Sequence, residues 1–245
     1  PDRRTLPGTG AVYAFTRRDD QWEQGAYIKP ETTYRSNVLI RNRIAMEFGQ
    51  NLALSGNGQV LAVGARGDLS RAEGVDGDPE DYDVGVEAGL NLRSGAVWVY
   101  RKNEDSWAQE SYLKASNSLT GTQFRDGGVQ FGHSISLSDD GNHLVATAWR
   151  EHGGNTGVGG DQLDTTAARS GAAYIFEFGA NGWRQSAYLK SPNTERFDNF
   201  GVSGALSADG ETLAIGAHRE DSAASGLGGD RSDNTAEDSG AVYLY

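Results

Sequence analysis

The sequence predicts an all-β protein: a β-propeller built from four-stranded antiparallel blades, present as a partial ring of about three blades. Three observations carry that prediction. One set of motifs recurs in register along the whole chain, an Asx-Gly turn between short apolar runs falls once in each later unit, and no stretch of any length shows a helical period.

The period is set by Gly-Ala followed by alternating apolar residues, beginning at Gly10, Gly95, Gly171 and Gly240, with steps of 85, 76 and 69 residues. Trp22, Trp107 and Trp183 follow in register, each opening a Trp-x-Gln-x-x-Tyr-(Leu/Ile)-Lys stretch. Upstream of the later Gly-Ala blocks stand Phe48-Gly49, Phe131-Gly132 and Phe200-Gly201, each followed by Leu-Ser and a turn containing Asn57-Gly58, Asp140-Gly141 or Asp209-Gly210. Asx-Gly between apolar runs signals a hairpin, because both residues tolerate positive φ.

One unit therefore reads as strand A (131–138), turn, strand B (143–148), long loop, strand C (171–176), short loop, strand D (183–190). Strands A and B are small and apolar, as inner strands packed on both faces should be. Strand C alternates, and strand D carries Trp, Tyr and Lys, the mix expected of an outer, half-exposed strand. Across a single domain, 1–245, the units are 10–29 (strands C and D), 48–114 and 131–190 (full blades) and 200–245 (strands A to C). A sandwich would not repeat these motifs in register, and a β-solenoid uses shorter repeats.

The lines Phe200-Gly201, Leu206-Ser207-Ala208-Asp209-Gly210, Leu213-Ala214-Ile215-Gly216-Ala217 and Ser239-Gly240-Ala241-Val242-Tyr243 resemble the FG-GAP repeat family, the blades of integrin α-subunit propellers and of many bacterial surface and secreted proteins. The resemblance covers nearly the whole chain. It implies a propeller fold and an extracellular, cell-surface or periplasmic setting, and it is vague for function. The integrin-type blade carries an acidic, EF-hand-like loop between strands A and B. Here that turn is only Ser-Gly-Asn-Gly, Ser-Asp-Asp-Gly or Ser-Ala-Asp-Gly, too few carboxylates for calcium, so that site is not carried over.

Thirteen strands divide as two, four, four and three, and 11–15 and 241–245 both claim the role of strand C. The ring does not close neatly. The expectation is an arc completed by a missing chain segment or by self-association, since exposed sheet edges favour such pairing. Residue 1 is proline, which predicts a processed or excerpted N-terminus.

A net charge of -12 argues against a nucleic-acid partner. No apolar run approaches the roughly 20 residues of a membrane-spanning helix. With no cysteine there is no disulfide framework and no thiolate metal or redox site.

The connections from strand B to strand C, 66–93, 149–169 and 218–238, are long and hold a surplus of ten acidic residues, so one face should be acidic. Within them Gly-x-x-Gly-Asp-x-x-Asp recurs at 74–81, 157–164 and 226–233. Paired carboxylates beside glycine-freed carbonyls suit calcium, with Asp76, Asp78, Asp81, Asp161, Asp164, Asp230 and Asp233 as candidate ligands and Glu80 and Asp83 reinforcing the first loop. The competing reading is an Asx-turn framework that orders the loop, and it is the favoured one because two carboxylates alone are too few for calcium.

His133, His143, His152 and His218 do not recur at equivalent positions, which argues against a repeated metal or proton-transfer role. Trp22, Trp107 and Trp183 recur as inter-blade packing would require. Trp98 and Trp149 break the pattern, and Trp149, where strand B enters the long loop, is the candidate ligand-stacking platform. No nucleophile elbow, phosphate loop or metalloprotease motif is present. The expected function is recognition or adhesion without catalysis, binding a protein or glycan through the acidic long-loop face with calcium as a candidate cofactor. The alternatives are a structural or assembly subunit and a carbohydrate-active propeller enzyme.

Overall fold

The computed structural model of the chain describes residues 8–31, 45–81, 93–118 and 127–245. These form thirteen strands and no helix: β1 (Val12–Arg18), β2 (Gln21–Ile28), β3 (Asn51–Leu54), β4 (Val60–Ala65), β5 (Ala96–Asn103), β6 (Ser106–Leu113), β7 (Ile135–Leu137), β8 (His143–Ala148), β9 (Ala172–Gly179), β10 (Gly182–Leu189), β11 (Phe200–Leu206), β12 (Leu213–Ala217) and β13 (Ala241–Leu244). They pair as four antiparallel meanders, β1-β2, β3-β4-β5-β6, β7-β8-β9-β10 and β11-β12-β13, with no crossover. Strand number, order and pairing match the sequence reading, and no barrel closes.

The sheets stack in chain order because their inner strands are apolar on both faces. Along β4, Val60 and Ala62 point into a core shared with β7-β8-β9-β10, whereas Leu61, Val63 and Ala65 point into one shared with β1 and β2. Val145 on β8 likewise turns away from Leu144 and Ala146 to meet Phe200, Leu213 and Ile215 of the last sheet. Period-two alternation here separates two buried faces.

The two glycine motifs meet between sheets. Gly10 bridges Phe48 and Gly95 bridges Phe131, while the amide N–H groups of Phe48, Phe131 and Phe200 donate to the carbonyls of Thr9, Ser94 and Ser170 at 3.2, 2.9 and 2.8 Å. A Cβ on Gly10, Gly95 or Gly171 would overlap the carbonyl oxygen of the facing phenylalanine, and all three have positive φ, 81°, 78° and 84°. Each phenylalanine ring then meets an aromatic of strand C edge-on in its own sheet: Phe48 on Trp98, Phe131 on Tyr174 and Phe200 on Tyr243, with centroids 5.6, 5.4 and 5.7 Å apart. Trp98 thus belongs to a repeated aromatic position, shared with Tyr13, Tyr174 and Tyr243, and does not break the pattern.

The Asx-Gly turns differ from the sequence expectation in one respect. Only Gly58, Gly141 and Gly210 take positive φ, and the preceding Asx residues do not. The reason is side-chain bonding. Asp140 Oδ1 accepts from Ser138 Oγ (2.6 Å) and Asn142 N (2.9 Å), and Ser138 Oγ accepts from His143 N (3.0 Å). The same three bonds recur at Ser55-Asn57 and Ser207-Asp209. Neighbouring turns are also linked, Asn57 N to Asp139 O and Asp139 N to Ala208 O.

The tryptophans follow the stacking. Trp183 is buried and donates to Glu110 Oε2 on β6 at 3.0 Å, Trp107, like Ala26 of β2, packs against the core between the first two sheets, and Trp22, with no described sheet on its far side, is 69% exposed. Gly171→Ala should destabilise the fold by about 3 kcal/mol, combining left-handed strain with displacement of the Phe200 carbonyl. Gly240→Ala, at the same φ but with its nearest neighbour at 3.3 Å, should cost about 1 kcal/mol. Equal losses in chemical denaturation would show that the inter-sheet contact is not what fixes the glycine.

Candidate functional site

The long-loop face is built on buried charge. Lys114 and Lys190, the last residues of the Trp-to-Lys motif, were expected on a half-exposed strand, yet both are 0% exposed. Lys114 Nζ donates to Asp68 Oδ1 (3.0 Å), Ser94 Oγ (2.7 Å) and Ser70 O (2.9 Å). Lys190 Nζ donates to Glu151 Oε2 (2.7 Å), Ser170 Oγ (2.7 Å) and Gly171 O. Tyr112 and Tyr188 add hydroxyl donors to the same carboxylates, each at 3.0 Å. Burial pushes both lysine pKa values down while the facing carboxylates oppose it, and it pushes both tyrosines up, keeping them neutral donors.

The acids Asp68, Glu151 and Glu220 were not singled out by sequence reasoning. They stand three residues beyond Ala65, Ala148 and Ala217, the ends of β4, β8 and β12, and that spacing is the signal that marks them. Each fixes the root of a long loop.

The Gly-x-x-Gly-Asp-x-x-Asp motif turns the first two loops back along the last strands of their sheets. Lys114 N donates to Gly74 O and Lys190 N to Gly157 O, both at 2.8 Å, beside bridges from Val75 to Leu113 and Val158 to Leu189. Asp76 binds the strand directly, its Oδ1 accepting from Ser111 Oγ (2.7 Å) and Tyr112 N (2.9 Å). The first aspartate of the pair accepts a backbone N–H two residues on: Asp78 from Glu80, Asp161 from Leu163 and Asp230 from Ser232, at 2.8, 2.9 and 2.9 Å. Of the second aspartates, Asp164 accepts from Thr166 N (2.9 Å) and Gly154 N (3.0 Å), and Asp233 from Thr235 N (3.0 Å), while Asp81 N donates to Asp78 O at 3.1 Å. Burial opposes ionisation of Asp164, but the bonds from Thr166 and Gly154 outweigh it and its pKa falls. Among the described residues, no group of three or more His, Asp or Glu side chains is placed to hold a metal. Asp83 lies outside the described residues.

At the loop roots the chemistry changes from sheet to sheet. Arg66, Trp149 and His218 occupy the same position, immediately after β4, β8 and β12. Trp149 is half-buried; its indole N–H donates to Gln130 Oε1 (3.1 Å), its ring lies 5.1 Å from that of His133, and the Arg150 guanidinium sits 4.6 Å from its centroid. Burial first, then the charges of Arg66, Arg150 and His218, push His133 down to about 4. Two arginines thus approach His133 at the loop roots, Arg66 paired with Glu47 at 2.6 Å and Arg150 stacked on Trp149, an arrangement that sequence reasoning did not anticipate. Glu47, Gln130 and Asn199, each preceding a motif phenylalanine, adopt positive φ of 60°, 58° and 56°, a strain of roughly 1–3 kcal/mol apiece.

No family model matches the chain, and no curated protein matches it. Among solved structures it is similar to a Bacteroides uniformis chain described as a putative 6-phosphogluconolactonase, at 14% identity and a TM-score of 0.36, over 96% of this chain and 68% of that one. At that level the likeness bears on neither fold nor chemistry.

Asp161→Ala should lower stability by about 1 kcal/mol through loss of the loop bond, equally in calcium and in EDTA. A thermal midpoint that rises with calcium in the parent chain and not in the variant would instead make the motif a metal site. Asp198, buried and facing Glu195, Glu220 and Asp221, is pushed from 3.8 up to about 6, chiefly by burial. Between those values the folded state holds a proton that the unfolded state releases, so this group's contribution to stability falls as pH rises through 4 to 6. His133 works oppositely, since below 6.5 the unfolded state takes the proton first. Asp198→Asn should therefore raise the thermal midpoint more at pH 7.5 than at pH 4.5; an equal gain at both would rule out the shifted carboxyl.

Proposed function

We propose that the chain is an arc of β-propeller with FG-GAP-like blades, acting without catalysis as a recognition module at an extracellular, cell-surface or periplasmic location. It engages a protein or glycan through the long-loop face. One observation carries this reading: the scaffold repeats closely, while the loop-root position changes from Arg66 to Trp149 to His218. A fixed frame with variable side chains at the loop roots is how recognition is varied without refolding. The buried pairs Asp68–Lys114 and Glu151–Lys190 are engaged in holding the frame, so they are not free for acid–base chemistry. Leu163 and Leu227, 75% and 99% exposed, offer apolar contact within the acidic loops. The N–H bonds that the repeated aspartates accept within their loops support the turn-forming reading over calcium as a cofactor.

The test is a printed array of glycans and basic peptides. Saturable binding should appear and should fall at least tenfold in Trp149→Ala with little change in thermal midpoint. Hydrolysis of a printed glycan by the parent chain would establish an enzyme instead.

A further inference from the structure

We infer that Phe197 is the aromatic contact for a neutral sugar ring on the long-loop face, with the Arg196 guanidinium beside it bonding the sugar hydroxyls, an assignment that rests on the loop-face reading above and names its ligand class.

The ring is held outside the cores at a conformational cost. Phe197 has a φ of 75°, a left-handed conformation that is a genuine outlier for a bulky side chain. It stands three residues before the motif phenylalanine Phe200, where the equivalent residues are Ala45 and Gly128. Gly128 takes the same conformation, with a φ of 69°, and glycine is the residue that does so without strain. Burial does not offset the strain at Phe197. It is 43% exposed, whereas Asp198, Asn199 and Phe200 directly after it are buried. It belongs to none of the three cores, and among the described residues the group over its ring is the Arg196 guanidinium, 5.6 Å from the centroid.

The backbone beneath the ring is fixed from both sides. Phe197 N donates to Ala168 O (2.9 Å), Asn199 N to Arg169 O (3.2 Å) and Phe200 N to Ser170 O (2.8 Å), all in the connection from β8 to β9. From the connection between β12 and β13, Arg219 N donates to Asp198 O at 3.3 Å. Asp198 Oδ2 accepts from Glu195 N at 2.8 Å, closing the turn that carries Arg196. Phe197 therefore stands between the third and fourth sheets on a frame that binding need not reorganise.

The surroundings select the ligand. A protein interface is built around a connected apolar centre, but the exposed residues preceding Phe197 are Glu195 and Arg196. Among the described residues Arg196 pairs with no carboxylate, so its donors are open to a ligand. Glu195 Oε1 accepts from Asn234 Nδ2 at 2.6 Å, which places an oriented carboxylate acceptor on the same turn. One aromatic ring within a polar rim matches a sugar, which offers a C–H face to the ring and hydroxyls to the rim. The net charge of -12 disfavours chains of uronate or sulfated sugars.

The test is an array of uncharged oligosaccharides of glucose, galactose, mannose and N-acetylglucosamine, with the tightest binder then titrated into the full chain by calorimetry. Saturable binding is expected. It should fall at least tenfold in Phe197→Gly, whose thermal midpoint should hold or rise as the strain is relieved, return in Phe197→Tyr, and weaken severalfold in Arg196→Gln. Unchanged affinity in Phe197→Gly would overturn the assignment, as would a fall in its midpoint together with affinity, which would make the ring structural. Binding of basic peptides and of no sugar would overturn it in favour of a protein partner. Glycan binding lost in Trp149→Ala but kept in Phe197→Gly would leave the loop-face reading standing and remove only Phe197; binding of neither sugars nor peptides would remove both.

Discussion

A lysine ammonium shut away from water closes each four-stranded sheet, and much of the long-loop face is arranged around its need for a carboxylate. Lys114 and Lys190 reach the loop root across their own sheet, where Asp68 or Glu151, a serine hydroxyl and a backbone carbonyl complete the shell. Removing either charge of such a pair typically costs about 3–5 kcal/mol, because the survivor is left buried and alone. The pair thereby ties the end of strand D to the start of a loop 21 residues or more in length. It also specifies register, since a one-residue slip would point the lysine to the opposite face.

Between sheets the constraint is backbone contact. Glycines at positive φ let the chain before strand C pass directly under the carbonyl of the next motif phenylalanine, and the ring of that phenylalanine then fills the space beside an aromatic of its own strand C. Stacking in one direction leaves the outer faces of the first and last sheets unlike the rest. Tyr13, Phe15 and Trp22 at one end and Val242 and Leu244 at the other are more than half exposed, although their counterparts in the middle sheets are largely covered.

Repetition made most of the fold legible. Because the Gly-Ala, Phe-Gly and Asx-Gly motifs recur in register, strand count, order and pairing followed without any call on fine propensity, and the tryptophans fell where inter-sheet packing needs them. The candidate site was less legible. From sequence the aspartates of the loop motif suit either ligands or turn-formers, and it takes the structure to show that Asp78, Asp161 and Asp230 each accept the N–H two residues on. The lysine of strand D read as half-exposed because isolated burial of an ammonium is forbidding; only a partner distant in sequence makes it tolerable. The approach of Arg66, from one unit, to His133 and Arg150 of the next was hidden for the same reason, since it depends on how the sheets stack.

The sequence by itself therefore determined the meander, its number of strands, the positions of the turns and the long loops, because each follows from local conformational limits on glycine and Asx and from period-two alternation. Tertiary structure alone decided which charges meet. Asp68 and Lys114 are 46 residues apart and Glu151 and Lys190 are 39 apart, and nothing local distinguishes those residues from the other acids and bases of a charged surface. Their burial arises only when a strand, a loop root and a serine converge in one place.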